Sequence, residues 1–271
     1  MLYRWPTPLV PGRLVRRYER FIADIALESG PIIQAHCVNP GRMEGLVIAG
    51  ARVWVSESPN VARTLRYTWE LIELEGRLIG ANTALPNHLV GLALAGGHIS
   101  GLHDLTAITP EQPFGRNHRV DFVLTRAGGP HLVEVKNCHL VYSDGWGYFP
   151  DSNSERAVKH VEALTRVIKR GGHASVYFTV QRDDARGVRP SALHAPDFAR
   201  ALRRAAKAGL RVRAFQFTPS LEGIDFGGEL EVDVAPYDLG PIRVWAKALE
   251  ATTGWVRKNG RWSGQALRGS S

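Results

Sequence analysis

The chain has 271 residues, of which 44% are apolar and 22% charged, so it can bury a sizeable core and has an ordinary globular composition. No stretch approaches the roughly 20 apolar residues of a membrane-spanning helix, and the first residues contain no apolar segment typical of a secretory signal. We therefore expect a cytoplasmic protein without membrane contact. The formal net charge of +8 favours a polyanionic partner, above all nucleic acid.

Cysteine usage agrees with that location. The chain has two cysteines, Cys37 and Cys138, without CxxC spacing. Two residues are too few for a disulfide framework or a zinc cluster, so we predict two reduced thiols.

Residues 13–80 carry the pattern of a small β-structure. Short, partly alternating apolar runs are separated at close spacing by Gly, Pro, Asn and Ser, which is typical of the strands of a barrel or sandwich. The runs are RYERFIADIALES, PIIQAHCV, ARVWVSES, RYTWELIELEG and RLIGAN. We assign residues 1–82 to this first domain.

Basic and aromatic residues are interleaved in this domain. The basic ones, expected just before the first strand, are Arg16, Arg17 and Arg20, and the aromatic ones on later strands are Trp54, Tyr67 and Trp69. On a small barrel such residues can form a surface that stacks on the bases of single-stranded nucleic acid. The alternative interpretation is that the aromatics fill the interior between strands.

A predicted helix and a predicted hairpin follow. The segment Pro86–Gly97 is apolar enough for a buried helix that two glycines end. Residues 119–136 read RVDFVL, TRAGGP and HLVEVK, which is typical of a β-hairpin. Because side chains alternate along a strand, Glu134 and Lys136 share one face, and Asp121 lies opposite or diagonal to them on the partner strand.

These three charged residues predict a metal site beside a phosphate, because charged groups do not fill a core unless they are paired. Hydrolysis of a phosphodiester needs a cation that neutralises the phosphate and lowers the pKa of an attacking water, and oxygen ligands suit Mg²⁺ or Mn²⁺. We predict that Asp121, Glu134 and the carbonyl of Val135 bind this cation. Lys136 would orient or deprotonate the water, or stabilise charge on phosphorus. The alternative is that Glu134 and Lys136 belong to a solvated strand face.

The segments after the hairpin alternate between strand and helix, which predicts an α/β sheet with right-handed crossovers. The clearest helix is SERAVKHVEALTRVIKRGG, with apolar residues at helical spacing, a serine cap and two terminal glycines. Arg156 and Lys159 in its first turns are candidates for phosphate contacts, whereas we interpret His160 as structural. The strand ASVYFTVQ, a helix at residues 196–209 and the strand RVRAFQFTP complete the order.

The composition changes from Pro236 onward. This segment contains three Trp and six Lys and Arg against two Asp and Glu. It is either a short helix docked by Trp245 and Trp255 or a mobile basic arm. We therefore divide the rest of the chain into a second domain of residues 83–235 and a basic extension of residues 236–271.

Several segments between residues 13 and 234 resemble the sugar fermentation stimulation protein A family of prokaryotes. They are RYERFIAD, AHCVNPGRM, YTWELIE, NTALPN, RVDF, VEVKNCHLV, YFPDSNSERAVKHVEAL and FTVQR. The resemblance implies an N-terminal OB-like barrel and a second domain with the fold of the PD-(D/E)xK nucleases, whose charged positions map onto Asp121, Glu134 and Lys136. It also implies DNA binding without strong sequence preference and a regulatory role in sugar (maltose) metabolism.

Two further positions follow from this resemblance. The family pattern has a glutamate in the helix after NTALPN, where this chain has Leu92. In related nucleases a carboxylate at such a place supports the metal site. The signature turn Asn39–Met43 is rigid because of its Asn-Pro-Gly sequence, and we predict that it presents Arg42 to nucleic acid.

The sequence leaves three functions open. The first is a DNA-binding protein with a metal-dependent phosphodiesterase site. The second is a non-enzymatic, sequence-nonspecific DNA-binding regulator in which the nuclease-like site is vestigial. The third is an enzyme that acts on RNA or another phosphate ester. A sequence-specific regulator is disfavoured, because the sequence contains no helix-turn-helix or zinc-finger motif.

Overall fold

The computed structural model describes residues 1–114, 118–252, 255–258 and 261–264. Every regular element before residue 84 is a strand. These are β1 (Tyr3–Arg4), β2 (Val10–Tyr18), β3 (Ile22–Leu27), β4 (Ile32–His36), β5 (Arg52–Glu57), β6 (Tyr67–Leu74) and β7 (Arg77–Gly80). The predicted runs coincide with β2 to β7, except that RYERFIADIALES spans the end of one strand, a turn and the whole of the next.

Strands β2 to β6 close into a five-stranded barrel of the OB type. Strand β2 pairs with both β3 and β5, and the parallel pairing of Ala35 with Tyr67 joins β4 to β6. The inward-facing side chains, among them Leu14, Ile25 and Trp69, are fully buried. Closure leaves no unpaired edge among these strands, which explains how so small a sheet is stable. The predicted OB-like barrel is confirmed.

The tryptophans of the barrel are interior residues. Trp69 has no exposed surface, and Trp54 is 4% exposed. Tyr67 is half-buried against the barrel core. The interpretation in which these aromatics stack on bases is therefore wrong for both tryptophans, because their rings are already covered by apolar neighbours.

The second domain is a mixed sheet with helices on both faces. Its helices are α1 (Leu85–Ala95), α2 (Glu155–Lys169) and α3 (Pro196–Lys207). Its strands are β8 (Leu105–Phe114), β9 (His118–Arg126), β10 (His131–Asn137), β11 (Trp146–Phe149), β12 (His173–Val180), β13 (Gly187–Pro190), β14 (Arg211–Pro219) and β15 (Gly223–Val232). The sheet order is β11-β13-β15-β14-β12-β10-β9-β8. Strands β10, β12 and β14 are parallel neighbours connected through α2 and α3, which confirms the predicted α/β arrangement.

The first strand belongs to this second sheet. Strand β1 pairs antiparallel with β15, through Tyr3 with Ile224 and Arg4 with Gly223. The predicted division placed these two residues with the barrel, because a two-residue strand has no periodicity to reveal its partner. The N-terminal residues therefore tie the two domains together.

Two apolar layers cover the two faces of the central sheet. On one face Val161 of α2 and Phe198 of α3 share a cluster with Phe178 of β12. On the other face Leu89 of α1 shares a cluster with Val133 of β10. Because successive strand residues point to opposite faces, this division decides which side chains can meet around β10.

Helix α2 begins and ends where the sequence predicts. The hydroxyl of Ser154 accepts a hydrogen bond from the amide of Ala157 at 3.2 Å. Gly171, with φ of +81°, follows the last turn in a conformation that favours glycine. The cap and the terminal glycine therefore fix the span of the helix and the direction of its side chains.

The C-terminal segment forms α4 (Gly240–Thr252), β16 (Trp255–Lys258) and β17 (Arg261–Gly264). Trp245 lies 6.2 Å from the ring of Tyr142, and Ile242 is buried in the same cluster. The docked-helix alternative is therefore confirmed for Trp245, whereas the side chain of Trp255 lies outside the described residues. Neither α4 nor any other helix in the described part of the chain has the length and apolar character needed to cross a membrane.

Candidate functional site

Glu134 and Lys136 lie on one face of the central strand β10. Glu134 is 4% exposed, and the ammonium of Lys136 donates a hydrogen bond to its Oε1. Val133 and Val135 point to the opposite face, into the cluster under α1. The predicted sharing of a face is confirmed, and the burial of Glu134 excludes the alternative of a solvated strand face.

Asp121 meets this pair at the point where β9 separates from β10. The two strands pair from Leu124 with His131 as far as Phe122 with Val133. Beyond that pair the amide of Val135 donates to Oδ2 of Asp121 at 2.6 Å instead of to a backbone carbonyl of β9. The carboxylate of Asp121 is thus held beside β10, next to Glu134, as the hairpin predicts.

The two carboxylates have opposite pKa shifts. Burial, and then the charge of Glu134, raise the pKa of Asp121 against the opposing hydrogen bonds from Val135 and Asn87. Burial would also raise the pKa of Glu134, but its hydrogen bonds with His160 and Lys136, and their charges, lower it below its ordinary value. Glu134 is therefore a firmly ionised carboxylate, whereas the negative charge of Asp121 is only partly compensated.

Two further residues complete the site, and the sequence interpretation did not assign them to it. Asn87, in the first turn of α1, donates from Nδ2 to Oδ1 of Asp121 at 2.9 Å. His160 of α2 is 8% exposed and hydrogen-bonds through Nδ1 to Oε1 of Glu134. His160 lies on the buried face of α2 beside Ala157 and Val161. A buried histidine on an apolar helix face needs a polar partner. The position of His160 in the helix pattern was therefore the signal in the sequence that it contacts another polar group.

This donor set fits a hard divalent cation. Two carboxylates lie side by side, and burial, followed by the negative charge of Glu134, raises the pKa of Asp121. The third predicted ligand is the backbone carbonyl of Val135, the residue that follows Glu134. No set of three or more His, Cys, Asp and Glu side chains in the described residues is arranged to hold a metal. A cation here would therefore use two carboxylates, a backbone carbonyl and water, which is the ligand type of Mg²⁺.

The raised pKa of Asp121 predicts that Asp121→Asn stabilises the metal-free protein at pH 7. A carboxyl whose pKa is raised in the folded state makes the folded protein less stable as the pH rises. The reason is that the same carboxyl in the unfolded chain ionises first, at its ordinary pKa of 3.8. Asparagine removes this cost and can keep the hydrogen bond from Val135. We expect a higher melting temperature for the variant at pH 7 and equal values below about pH 3.8. A lower melting temperature at pH 7 in EDTA would contradict this assignment.

The three arginines predicted to bind nucleic acid from the barrel lie in different surroundings. Arg16 and Arg17 lie within β2 rather than before it. Arg16 is exposed and pairs with Asp24 at 2.6 Å. Arg17 is 2% exposed, and its guanidinium donates to backbone carbonyls of the barrel, so it cannot contact a ligand at the surface. Arg20 is exposed in the following turn.

The signature turn lies at the interface between the domains. Met43 donates its amide to Oδ2 of Asp151 at 2.9 Å, and Tyr142 donates its hydroxyl to Glu44 at 2.6 Å. Arg42 pairs with the buried carboxylate of Glu44 at 3.1 Å. The second domain partly covers the turn and leaves the side chain of Arg42 17% exposed, so its contact with nucleic acid remains a prediction.

Arg156 and Lys159 lie on α2, the helix that also carries His160. Both side chains are exposed at the start of α2. Arg156 precedes His160 by four residues, so the two are neighbours along the helix surface. Their contact with nucleic acid remains a prediction.

Comparison with known proteins covers both domains. Residues 15–81 match the family model of the SfsA N-terminal OB domain, and residues 84–223 match that of the sugar fermentation stimulation protein RE domain. The chain is 44% identical over 236 residues to the sugar fermentation stimulation protein homolog of Jannaschia sp. (strain CCS1), an alignment that covers 86% of this chain and 98% of that protein. It is 42% identical over 227 residues to the homolog of Geotalea uraniireducens (strain Rf4), which covers 84% and 98%.

A solved structure shares the fold. The structure of Pyrococcus furiosus SfsA in complex with Ca²⁺ superposes with a TM-score of 0.77 over 84% of this chain and 96% of that one, at 24% sequence identity. Both the barrel and the α/β domain fall within the matched family models. With two family models that together span most of its length and relatives above 40% identity, the chain belongs to the sugar fermentation stimulation protein (SfsA) family.

Proposed function

We propose that this protein binds DNA and hydrolyses phosphodiester bonds with Mg²⁺ or Mn²⁺ at the site formed by Asp121, Glu134 and Lys136. The observation that carries the proposal is the convergence of two carboxylates and an ammonium at the centre of the sheet. A related protein of the same fold binds Ca²⁺, which is also a hard cation with oxygen ligands. That relative supports a divalent cation as the cofactor.

The residues around the site have distinct roles in this proposal. When bound by Asp121 and Glu134, the cation supplies charge neutralisation and a lowered pKa for water. Lys136, held by Glu134, places its ammonium where it can hydrogen-bond to a water or a phosphate oxygen. Asn87 and His160 hold the two carboxylates in position. Such fixed geometry is required because hydrolysis depends on the alignment of water and phosphate.

DNA is the proposed partner because of charge and placement. The net charge is +8, and exposed cations lie on both domains. Those predicted to contact nucleic acid are Arg16, Arg20, Arg156 and Lys159. Contacts of this kind bind the phosphate backbone without reading the sequence. The link to the regulation of sugar metabolism is an expectation from the family resemblance alone.

Two observations favour the non-enzymatic regulator as a second candidate. Oε1 of Glu134 already accepts hydrogen bonds from both Lys136 and His160. These two groups compensate the negative charge that a cation would otherwise neutralise. In addition, α1 contributes the neutral amide of Asn87 to the site, and Leu92 stands where the family pattern has a glutamate.

Cation binding and DNA cleavage separate the two candidates. For the enzyme we expect cleavage of linear, nicked or single-stranded DNA with Mg²⁺ or Mn²⁺, no cleavage in EDTA, and saturable binding of the cation by calorimetry. RNA of the same sequence is the comparison substrate. The regulator would be favoured over the enzyme if the parent protein bound DNA without cleaving it and bound the cation no more strongly than Asp121→Asn does. Preferential cleavage of RNA would reassign the substrate.

A further inference from the structure

A cavity of about 300 Å³ lies at the amino ends of the three parallel strands. His131 begins β10, Ser175 lies near the start of β12, and Arg211 begins β14. The loop after α1 covers the cavity with Ser100, Gly101 and Leu102, and Tyr177 and Arg213 complete its wall. Its volume is at the lower end of the range of small-molecule sites.

This cavity is separate from the candidate metal centre. His131 and Val133 alternate with Glu134, so they point to the opposite face of β10. Val133 and Tyr177 belong to the apolar cluster on the α1 face, whereas Glu134 contacts His160 of α2. The sheet itself therefore lies between the two sites.

The deep part of the cavity offers hydrogen-bonding groups. Nε2 of His131 lies 2.7 Å from Oγ of Ser175, and the two residues are 3% and 1% exposed. The ring of Tyr177 is 1% exposed and packs beside them. A serine and a histidine that face a cavity can reorient their protons to suit a bound oxyanion.

Of the three arginines in or beside the cavity wall, two are paired with carboxylates. Arg213 forms a bidentate pair with Glu229, with both contacts at 2.7 Å. Arg126 pairs with Asp104 at 2.6 Å. Arg211 lines the cavity and forms no ion pair with a described residue. Its charge is therefore available to a ligand.

The paired arginines also hold the covering loop in place. Arg213 donates to the carbonyl of Ser100 at 2.9 Å, and Arg126 donates to the carbonyl of Gly101 at 3.1 Å. Burial, and then the positive charges of Arg126, Arg211 and His173, lower the pKa of His131 to about 4. The ring of His131 therefore lies in positive surroundings. The imidazole is neutral at pH 7, and a nearby anion would favour its protonation.

We propose that this cavity binds inorganic phosphate or a small phosphomonoester, with Arg211 contacting the oxyanion and Ser175 and His131 hydrogen-bonding to its remaining oxygens. Guanidinium groups recognise phosphate through charge-assisted hydrogen bonds. A phosphomonoester is close to a dianion at pH 7. Arg211 compensates one of its charges, and a proton taken up by the phosphate itself, whose second pKa is about 6, or shared with His131 compensates the second. A monoanionic carboxylate requires no such proton, so proton uptake distinguishes the two ligand classes.

Calorimetry and NMR on the full chain test this proposal, with inorganic phosphate and glycerol 3-phosphate as probes and acetate as the carboxylate control. We expect saturable phosphate binding, proton uptake in buffers of different ionisation enthalpy, and a shift of the His131 ring signals. Arg211→Ala should weaken binding at least about tenfold, since it removes a charged hydrogen bond. The matched control is Arg166→Ala, an exposed arginine on α2 across the sheet, which should bind as the parent does.

Several results would overturn the proposal. The proposal would be overturned if neither probe bound saturably. It would also be overturned if Arg211→Ala and Arg166→Ala lost phosphate affinity equally. Acetate binding as tightly as phosphate without proton uptake would exclude the phosphate assignment. Binding confined to a 5′-phosphorylated oligonucleotide would identify a nucleic-acid contact in place of a small-molecule site. Matching thermal unfolding of the two variants would establish that a loss of binding is local.

Discussion

Glu134→Gln is expected to reduce metal-dependent DNA cleavage by about 10³-fold. The substitution removes the negative charge at the site but keeps an oxygen that can accept from Lys136 and His160. The local packing is therefore retained while a cation ligand is weakened. Initial rates of cleavage with Mg²⁺ and with Mn²⁺ measure the effect. Calorimetric titration of the same variant should show weaker cation binding.

Lys136→Met separates the role of the ammonium from that of the metal. Methionine keeps an unbranched apolar side chain, so we expect cleavage to fall by about 10²-fold while cation binding persists. For Glu134→Gln, the control for the change in net charge is Glu162→Gln, which removes an exposed carboxylate of α2. Equal rates in the parent, Glu134→Gln and Lys136→Met would exclude this site as the source of any cleavage activity.

Arg17→Ala is expected to destabilise the protein by about 3 kcal/mol or more. Its guanidinium donates to the carbonyls of Arg20, Asn39 and Gly41 at 2.8, 2.6 and 3.0 Å. Truncation would leave these acceptors without their donor beneath the signature turn. Thermal or denaturant unfolding, followed for both domains, measures the loss.

Arg16→Ala is the matched variant from the same strand. Arg16 is exposed, whereas the carboxylate of its partner Asp24 is largely buried and also accepts a hydrogen bond from the hydroxyl of Tyr18. Because Tyr18 still satisfies this carboxylate, we expect an unfolding free energy within about 1 kcal/mol of the parent, well short of the loss in Arg17→Ala. A decrease in DNA affinity confined to Arg16→Ala would agree with the surface assignment. Equal stability of Arg17→Ala and the parent would contradict the structural role of Arg17.

The elements of the site could be predicted because strand geometry is local. The two apolar runs around Gly128 and Gly129 predict a hairpin, and the two-residue repeat of a strand places Glu134 and Lys136 on one face whatever surrounds them. The register follows from the turn, so the proximity of Asp121 was also predictable. The helix of residues 155–169 was predictable from its cap, its spacing and its glycines for the same reason.

The supporting residues could not be predicted in this way, because they come from distant segments. Asn87 precedes Asp121 by 34 residues, and His160 follows Glu134 by 26. Their proximity depends on how α1 and α2 pack on opposite faces of the sheet, which no local period encodes. The position of His160 on an apolar helix face indicated that it has a polar partner, but not which residue that partner is.

Burial was likewise decided by the tertiary structure. Arg17 and Arg16 are adjacent in sequence, yet one is covered by the signature turn and the other is exposed. Arg42, which the sequence predicts to contact nucleic acid, pairs with Glu44 between the domains and is only partly exposed. A charge pattern reports how many cations a segment has, but the packing of a second domain decides which of them a ligand can reach.

Periodicity, turn residues and recognisable family motifs were thus enough to predict the OB-like barrel, the α/β order and the trio of Asp121, Glu134 and Lys136. They could not predict which groups hold that trio in place or which cations remain at the surface. Nor could they predict that His131, Ser175 and Arg211 line one cavity. The physical reason is that hydrogen bonding, desolvation and charge compensation depend on contacts between segments far apart in the chain.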